Sequence, residues 1–375
     1  MNEDRAARYH RLKRQASVVS LIWSVLVLGS LLLTGWSAAL RDVARTWAGN
    51  APAPLQDVFV VLIFVVFLSL LHEAAGFPLV FYSGFLLERR YDLSNESFRA
   101  WIADQAKSLG VGLLLGAGAA ELVYATMRAW PSAWWLAGGV VFTALIVVLT
   151  NLAPVLLLPL FYPVKPLDRD ALRARLLALA ERADARVLGA YEWGLGGKTK
   201  KANAALAGLG STRRILVSDT MLAEYSDDEI EVVLAHELAH HVHGDIWKGI
   251  AFESALVIAG FGAASFVLRI AAGHAGLRGP DDVAGLPLLL LTAGGVSLVT
   301  VPLAHAMSRR FERSADRFAL DLTRNPGAFI SAMRRLGAQN LAEEQPSRLV
   351  QWLFYSHPPM RDRIAAAQAF AEPGP

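Results

Sequence analysis

The segment 232–245, VVLAHELAHHVHGD, sets four histidines and one glutamate within eight residues of an otherwise apolar helical run. Successive helix positions turn about 100°, so side chains four apart share one face, one turn up. His236 and His240 have that spacing, and both imidazoles can reach one cation. Glu237 lies about 100° round from His236, flanking the pair, the place for a carboxylate that takes a proton from metal-bound water. H-E-x-x-H on a helix is the zinc metalloprotease pattern for this reason. His243 offers a rival pairing with His240 that leaves no glutamate in the base position, while His241 points away. The plain alternative is that all four are solvated histidines at a membrane interface.

A catalytic zinc takes three protein ligands and keeps one position for water. The third has to come from elsewhere, and HAMSRRFERSADRFALD at 305–321 offers it. Glu312 and Asp316 are one helical turn apart, so Glu312 can close the site while Asp316 orients a ligating imidazole through its free N–H. His305 is a weaker candidate, two turns back. The competing reading is a solvated charged helix, with pairing to Arg309 or Arg313.

The elements that position these groups are mostly apolar. Of 375 residues, 54% are hydrophobic and 18% charged, below the roughly 25% charge usual in soluble domains. No cysteine is present, which excludes disulfides, thiolate ligands and a cysteine nucleophile. A net charge of +3 without a basic, aromatic-studded patch sets nucleic acid aside as a partner. A bilayer needs about 20 apolar residues per helix, and six stretches qualify: about 16–40, 57–87, 108–127, 134–161, 249–268 and 286–304. The first exceeds the apolar core of a cleaved signal peptide, so a retained span is expected. Arg5, Arg8, Arg11, Lys13 and Arg14 precede it, and Arg89, Arg90, Arg99 and Lys107 follow the second. Positive flanks face the cytoplasm, so the lipid bilayer is a partner and both termini are cytoplasmic.

The expected organisation is a four-span region (1–161), a first cytoplasmic piece with the histidines (162–248), two further spans (249–304) and a second piece (305–375). The two pieces together build one α+β lobe on a mainly α polytopic protein. A helical pattern covers 168–185, and a strand-like pair covers 186–193 and 213–219.

HELAH (236–240), SRRFERSAD (308–316) and SHPPMRDRI (356–364) together resemble the integral-membrane gluzincin proteases. The stretches 76–108, 151–167 and 201–222 are similar to the type I CAAX prenyl endopeptidases, so the likeness runs from about 60 to 365. The resemblance implies a zinc endopeptidase with one Zn2+ held by His236, His240 and Glu312. Glu237 would be the general base and Asp316 the carboxylate behind a ligand. Asn203 would lie on an edge strand along which substrate adds as a further strand. His357 and Arg363 would face the substrate, His357 stabilising the oxyanion. The implied partners are peptide or membrane-protein substrates, prenylated ones included; the absence of a C-terminal retention signal favours a bacterial plasma membrane over an organelle as the expected setting.

Other wording, AHELAHH and HPP, resembles the HtpX-type quality-control proteases, which lack the 76–167 region. A non-catalytic scaffold or transporter with structural zinc is the reading from another class. Glu237 argues against it, since a structural site needs no base. Glu73, Glu121 and Glu253 fall inside apolar runs, where a charge is costly. They are expected either to line the intramembrane chamber that the CAAX-endopeptidase resemblance implies or to pair locally near the bilayer edges.

Overall fold

The computed structural model describes residues 4–208, 212–274 and 276–372. Among the described residues, six helices are long and apolar enough to cross a bilayer: Arg5–Leu33, Gln56–Arg90, Phe98–Ala129, Trp134–Leu156, Asp245–Ala271 and Val283–Thr323. Ile22, Leu114, Phe266 and Val299 are among many large apolar side chains turned outward on them. So extended an apolar surface suits lipid and not water, and each helix satisfies its own backbone polar groups.

The apolar run 16–40 is not a single helix. Gly35 adopts φ +79°, a left-handed conformation that glycine reaches without a Cβ clash. A separate helix, Trp36–Ala48, follows it. Its Arg41 is buried and bonds Asp282 at 2.5 Å, which ties this helix to the start of the sixth span. In the second span Pro78 removes one backbone donor and crowds the turn before it. The helix widens into a π turn at Tyr82–Leu86 and closes again at Leu87–Arg90. The helix of the sixth span, Leu286–Thr323, is continuous over 38 residues and carries Glu312 and Asp316 out of its apolar part into the lobe.

The lobe holds a four-stranded sheet in the order β1-β2-β4-β3, from Val164–Pro166 (β1), Ala190–Trp193 (β2), Ala204–Ala207 (β3) and Arg214–Ser218 (β4). The strand-like pair of the sequence is β2 and β4, which run parallel with Ala190 opposite Ile215. β1 and β3 add antiparallel at the two edges. The alanine-rich β3 has little intrinsic strand preference, and among the sequence readings only the family resemblance pointed to it. One apolar core joins Leu172 and Leu176 of helix Asp170–Arg182, Ile215 and Val217 of β4, Leu234 and Leu238, Leu320, and Phe329 of helix Pro326–Gln339. Both pieces of the lobe therefore share one interior. Each fully buried leucine contributes roughly 1.5–3 kcal/mol to it.

Candidate metal centre

The helix Asp227–Val242 carries the histidines. Its start is closed by a capping box: Ser226 accepts from the Glu229 amide, and the Glu229 carboxylate accepts from the Ser226 amide at 2.8 Å. Such a box satisfies two amides that the first turn leaves without partners. The other Glu229 oxygen accepts from Ser331 Oγ at 2.5 Å and Arg335 Nε at 2.9 Å, docking the helix on Pro326–Gln339. Ile230, Leu234 and Leu238 face the core, which leaves His236, Glu237 and His240 directed to one side.

There the sixth-span helix meets them. Glu312 Oε2 lies 3.2 Å from His236 Nε2, and Glu312 Oε1 lies 3.5 Å from His240 Nε2. Candidate ligand atoms of His236, His240 and Glu312 all fall within 4.8 Å of one another, and this is the group of that kind among the described residues. Tetrahedral ligands about 2.0–2.1 Å from an ion stand roughly 3.3 Å apart, and the two observed separations bracket that value. Two imidazoles and a carboxylate are also the donor set of a catalytic zinc site, so these residues fit such an ion.

Behind His236, Asp316 Oδ1 lies 2.8 Å from Nδ1. Arg363 grips Asp316 with both arms of its fork, Nε to Oδ2 at 2.8 Å and Nη2 to Oδ1 at 2.5 Å. Burial works against charge on the His236 imidazole, but hydrogen bonds to Asp316 and Glu312 outweigh it and push its pKa up to about 9. Two carboxylates converging on one ring thus favour a cation at this point. Glu237 accompanies the pair, and burial raises its carboxyl above the ordinary value. That shift makes it the better proton acceptor.

His357 is exposed and places Nδ1 2.8 Å from Glu312 Oε2, on the open side of the group. Asn203 is exposed at the head of β3 and exchanges hydrogen bonds with Ser218 of β4. β3 is the sheet edge that packs against the histidine helix. Arg363 departs from the expectation that it faces substrate. It is only 7% exposed, with its guanidinium committed to Asp316; a buried arginine needs a carboxylate, and Asp316 supplies it. His243 turns away, bonding Ser314 at 3.2 Å and stacking edge-on with Phe318. Neither it nor His305 belongs to the ligand group. The sequence reading passed over Asp245, five residues beyond His240, whose Oδ2 lies 3.1 Å from His240 Nδ1. The signal available was an acidic residue directly after the helix-ending His243-Gly244.

A cavity of about 1080 Å³ lies among the spans, lined by apolar side chains and a few polar ones, including His72, Glu73, Gln105 and Glu253. Glu73 and Glu253 thus line a chamber, whereas Glu121 lies outside its wall, 3.8 Å from Arg128.

Comparison with known proteins accounts for both halves. The sequence profile of peptidase family M48 matches residues 166–371, and one described as CAAX prenyl protease N-terminal, five membrane helices, matches residues 2–163. The chain belongs to peptidase family M48. It is therefore a multi-pass membrane metalloprotease, acting on peptide bonds with a metal. This M48 chain is 29% identical to the uncharacterized metalloprotease YhfN of Bacillus subtilis, over 81% of the chain and 72% of that protein. It is 26% identical to CAAX prenyl protease 1 of Saccharomyces cerevisiae, over 83% and 72%. The crystal structure of S. mikatae Ste24p superposes with a TM-score of 0.83 at 22% identity, covering 96% of this chain and 87% of that one. That likeness establishes a shared fold of membrane helices and lobe.

Proposed function

We propose that this M48 protease is a zinc endopeptidase that cuts peptides at the cytoplasmic face of its membrane, with lipid-modified C-terminal tails as the favoured substrate. The observation that carries it is the meeting of His236, His240 and Glu312 beside Glu237. The name of the Saccharomyces cerevisiae relative supports the prenylated substrate class. The roomy apolar cavity suits a lipid chain. The basic residues ahead of the first span support a cytoplasmic N-terminus, and a bacterial plasma membrane is the setting proposed.

His236, His240 and Glu312 would hold the zinc. Once bound, zinc supplies a Lewis acid that brings water toward a pKa of roughly 7 and polarises the scissile carbonyl. Glu237 takes the water proton and returns it to the leaving amine, which its raised pKa favours. Asp316 holds the His236 ring by Nδ1, and Arg363 keeps that carboxylate ionised and fixed. The substrate backbone would add to the open edge of β3 at Asn203, the side facing the histidine helix. His357, on the exposed side, would donate to the oxyanion.

The test gives the detergent-purified protein and its Glu237→Gln variant, matched in zinc content, one peptide with and without a C-terminal prenyl-cysteine. Wild type is expected to cut the prenylated peptide just after its cysteine, with the variant slower by about 10²–10⁴-fold. Products are mapped by mass spectrometry. Equal cutting of both peptides at scattered sites would replace tail processing by general quality-control proteolysis. Equal activity of the two proteins would remove Glu237 from its role.

A further inference from the structure

Beyond the expected ligands, one buried carboxylate touches the group from a different element. The histidine helix ends at Val242, Gly244 turns the chain at φ +66°, and Asp245 opens the fifth span helix, Asp245–Ala271. An L side chain at Gly244 would be strained in that left-handed turn. The turn folds Asp245 back beneath the helix it has just left. Its side chain is 5% exposed, with Oδ2 3.1 Å from His240 Nδ1 and Oδ1 3.1 Å from Lys248 Nζ.

We propose that Asp245 is a positioning residue for the metal centre, fixing the tautomer and rotation of His240 and tying that ligand to the fifth membrane helix. The inference rests on the reading of His240 as a ligand. His240 directs Nε2 toward Glu312, which leaves Nδ1 as its only other polar atom. A carboxylate at Nδ1 keeps the proton there, so Nε2 presents its lone pair to the ion. Helix capping does not account for Asp245. The N-cap is Gly244, which has no side chain to bond. Both Asp245 oxygens point at side chains, His240 and Lys248. A buried carboxylate serving only as a surface charge would be poorly placed, since desolvation is costly unless the group is paired. His240 thus has the same kind of support that Asp316 gives His236, supplied by a membrane helix that also contributes Glu253 and Phe261 to the cavity wall.

The test measures zinc affinity of the full-length protein in detergent by competition with a chromogenic chelator. Wild type, His240→Ala, Asp245→Ala and Asp245→Asn are compared, with thermal unfolding of each chelator-stripped protein as the measure of fold. Asp245→Ala is expected to weaken zinc by about 10–100-fold, with the stripped protein unfolding as wild type does. Asp245→Asn keeps an acceptor for Nδ1–H, and is expected to fall between the two. If His240→Ala binds zinc as tightly as wild type, the ligand reading itself fails. If His240→Ala loses zinc while both Asp245 variants keep wild-type affinity, only the role of Asp245 is overturned. Should Asp245→Ala not fold, Asp245→Asn decides alone, and unchanged affinity in it overturns the proposal.

Discussion

His236 and His240 reach Glu312 from one helix, yet they stand on different supports. His236 is backed by Asp316 from the sixth span helix and, through it, by Arg363 from helix Met360–Ala371. All three side chains are 7–8% exposed. His240 is backed by Asp245 from the start of the fifth span helix, and the next group out, Lys248, is 54% exposed. The first support is assembled from three separate elements in a dry interior. The second is local and ends in solvent. Removing one partner of a buried ion pair leaves a charge without compensation, whereas an exposed pair trades its partner for water at little cost. The inner histidine should therefore be bound up with the stability of the lobe, and the outer one with the position of the membrane helix.

Arg363→Ala should have the largest effect, since it leaves the buried Asp316 carboxylate with only the His236 ring as partner. A loss of about 3–5 kcal/mol is expected, seen as a lower unfolding temperature of the chelator-treated protein. A loss no larger than that of an exposed pair would dissolve the contrast.

Glu229 tests the same helix from its other end. Burial alone would raise its carboxyl, but hydrogen bonds from Ser331 and Ser226, with the charge of Arg335, outweigh that and hold it below the ordinary value. A depressed folded pKa adds stability above the unfolded value of roughly 4.3. That contribution is lost as pH falls below it, through the folded pKa. Glu229→Gln should accordingly cost about 1–3 kcal/mol near neutrality. The gap to wild type should narrow on acidification below that value, as read from denaturation midpoints at successive pH values. A gap independent of pH would show that shape, not charge, anchors the helix.

Lys248→Met should have the smallest effect, below about 1 kcal/mol. The outer support ends in an exposed ammonium, whose cation–π contact with Phe311, 5.3 Å from Nζ to the ring centroid, is weak at such a site. A loss as large as that of Arg363→Ala would mean that both histidines stand on equally dry ground.

Much of the fold could be read along the chain. A bilayer demands about 20 apolar residues per helix, and that demand left six long runs in the sequence. Their ends were harder to read, because the break at Gly35 depends on a backbone conformation and not on hydropathy. The sheet was half visible. β2 and β4 carry large and β-branched side chains, while β3, reading AALA, does not. In the site, His236, Glu237 and His240 were legible because they lie within one helical turn, where spacing alone implies direction.

By itself, then, the sequence determined what is local: six apolar spans, a helix with two imidazoles and a carboxylate at its 3.6-residue period, and a distant acidic pair one turn apart. Only the tertiary structure decided which distant groups close the site. It brought Glu312 and Asp316 to the histidines on a helix that leaves the membrane. It took Arg363 from the substrate side into the interior, and it folded Asp245 under His240 through a left-handed glycine. The physical reason is that hydropathy and helical period act over a few residues. A buried charge instead finds its counter-charge wherever packing leaves one within hydrogen-bond reach.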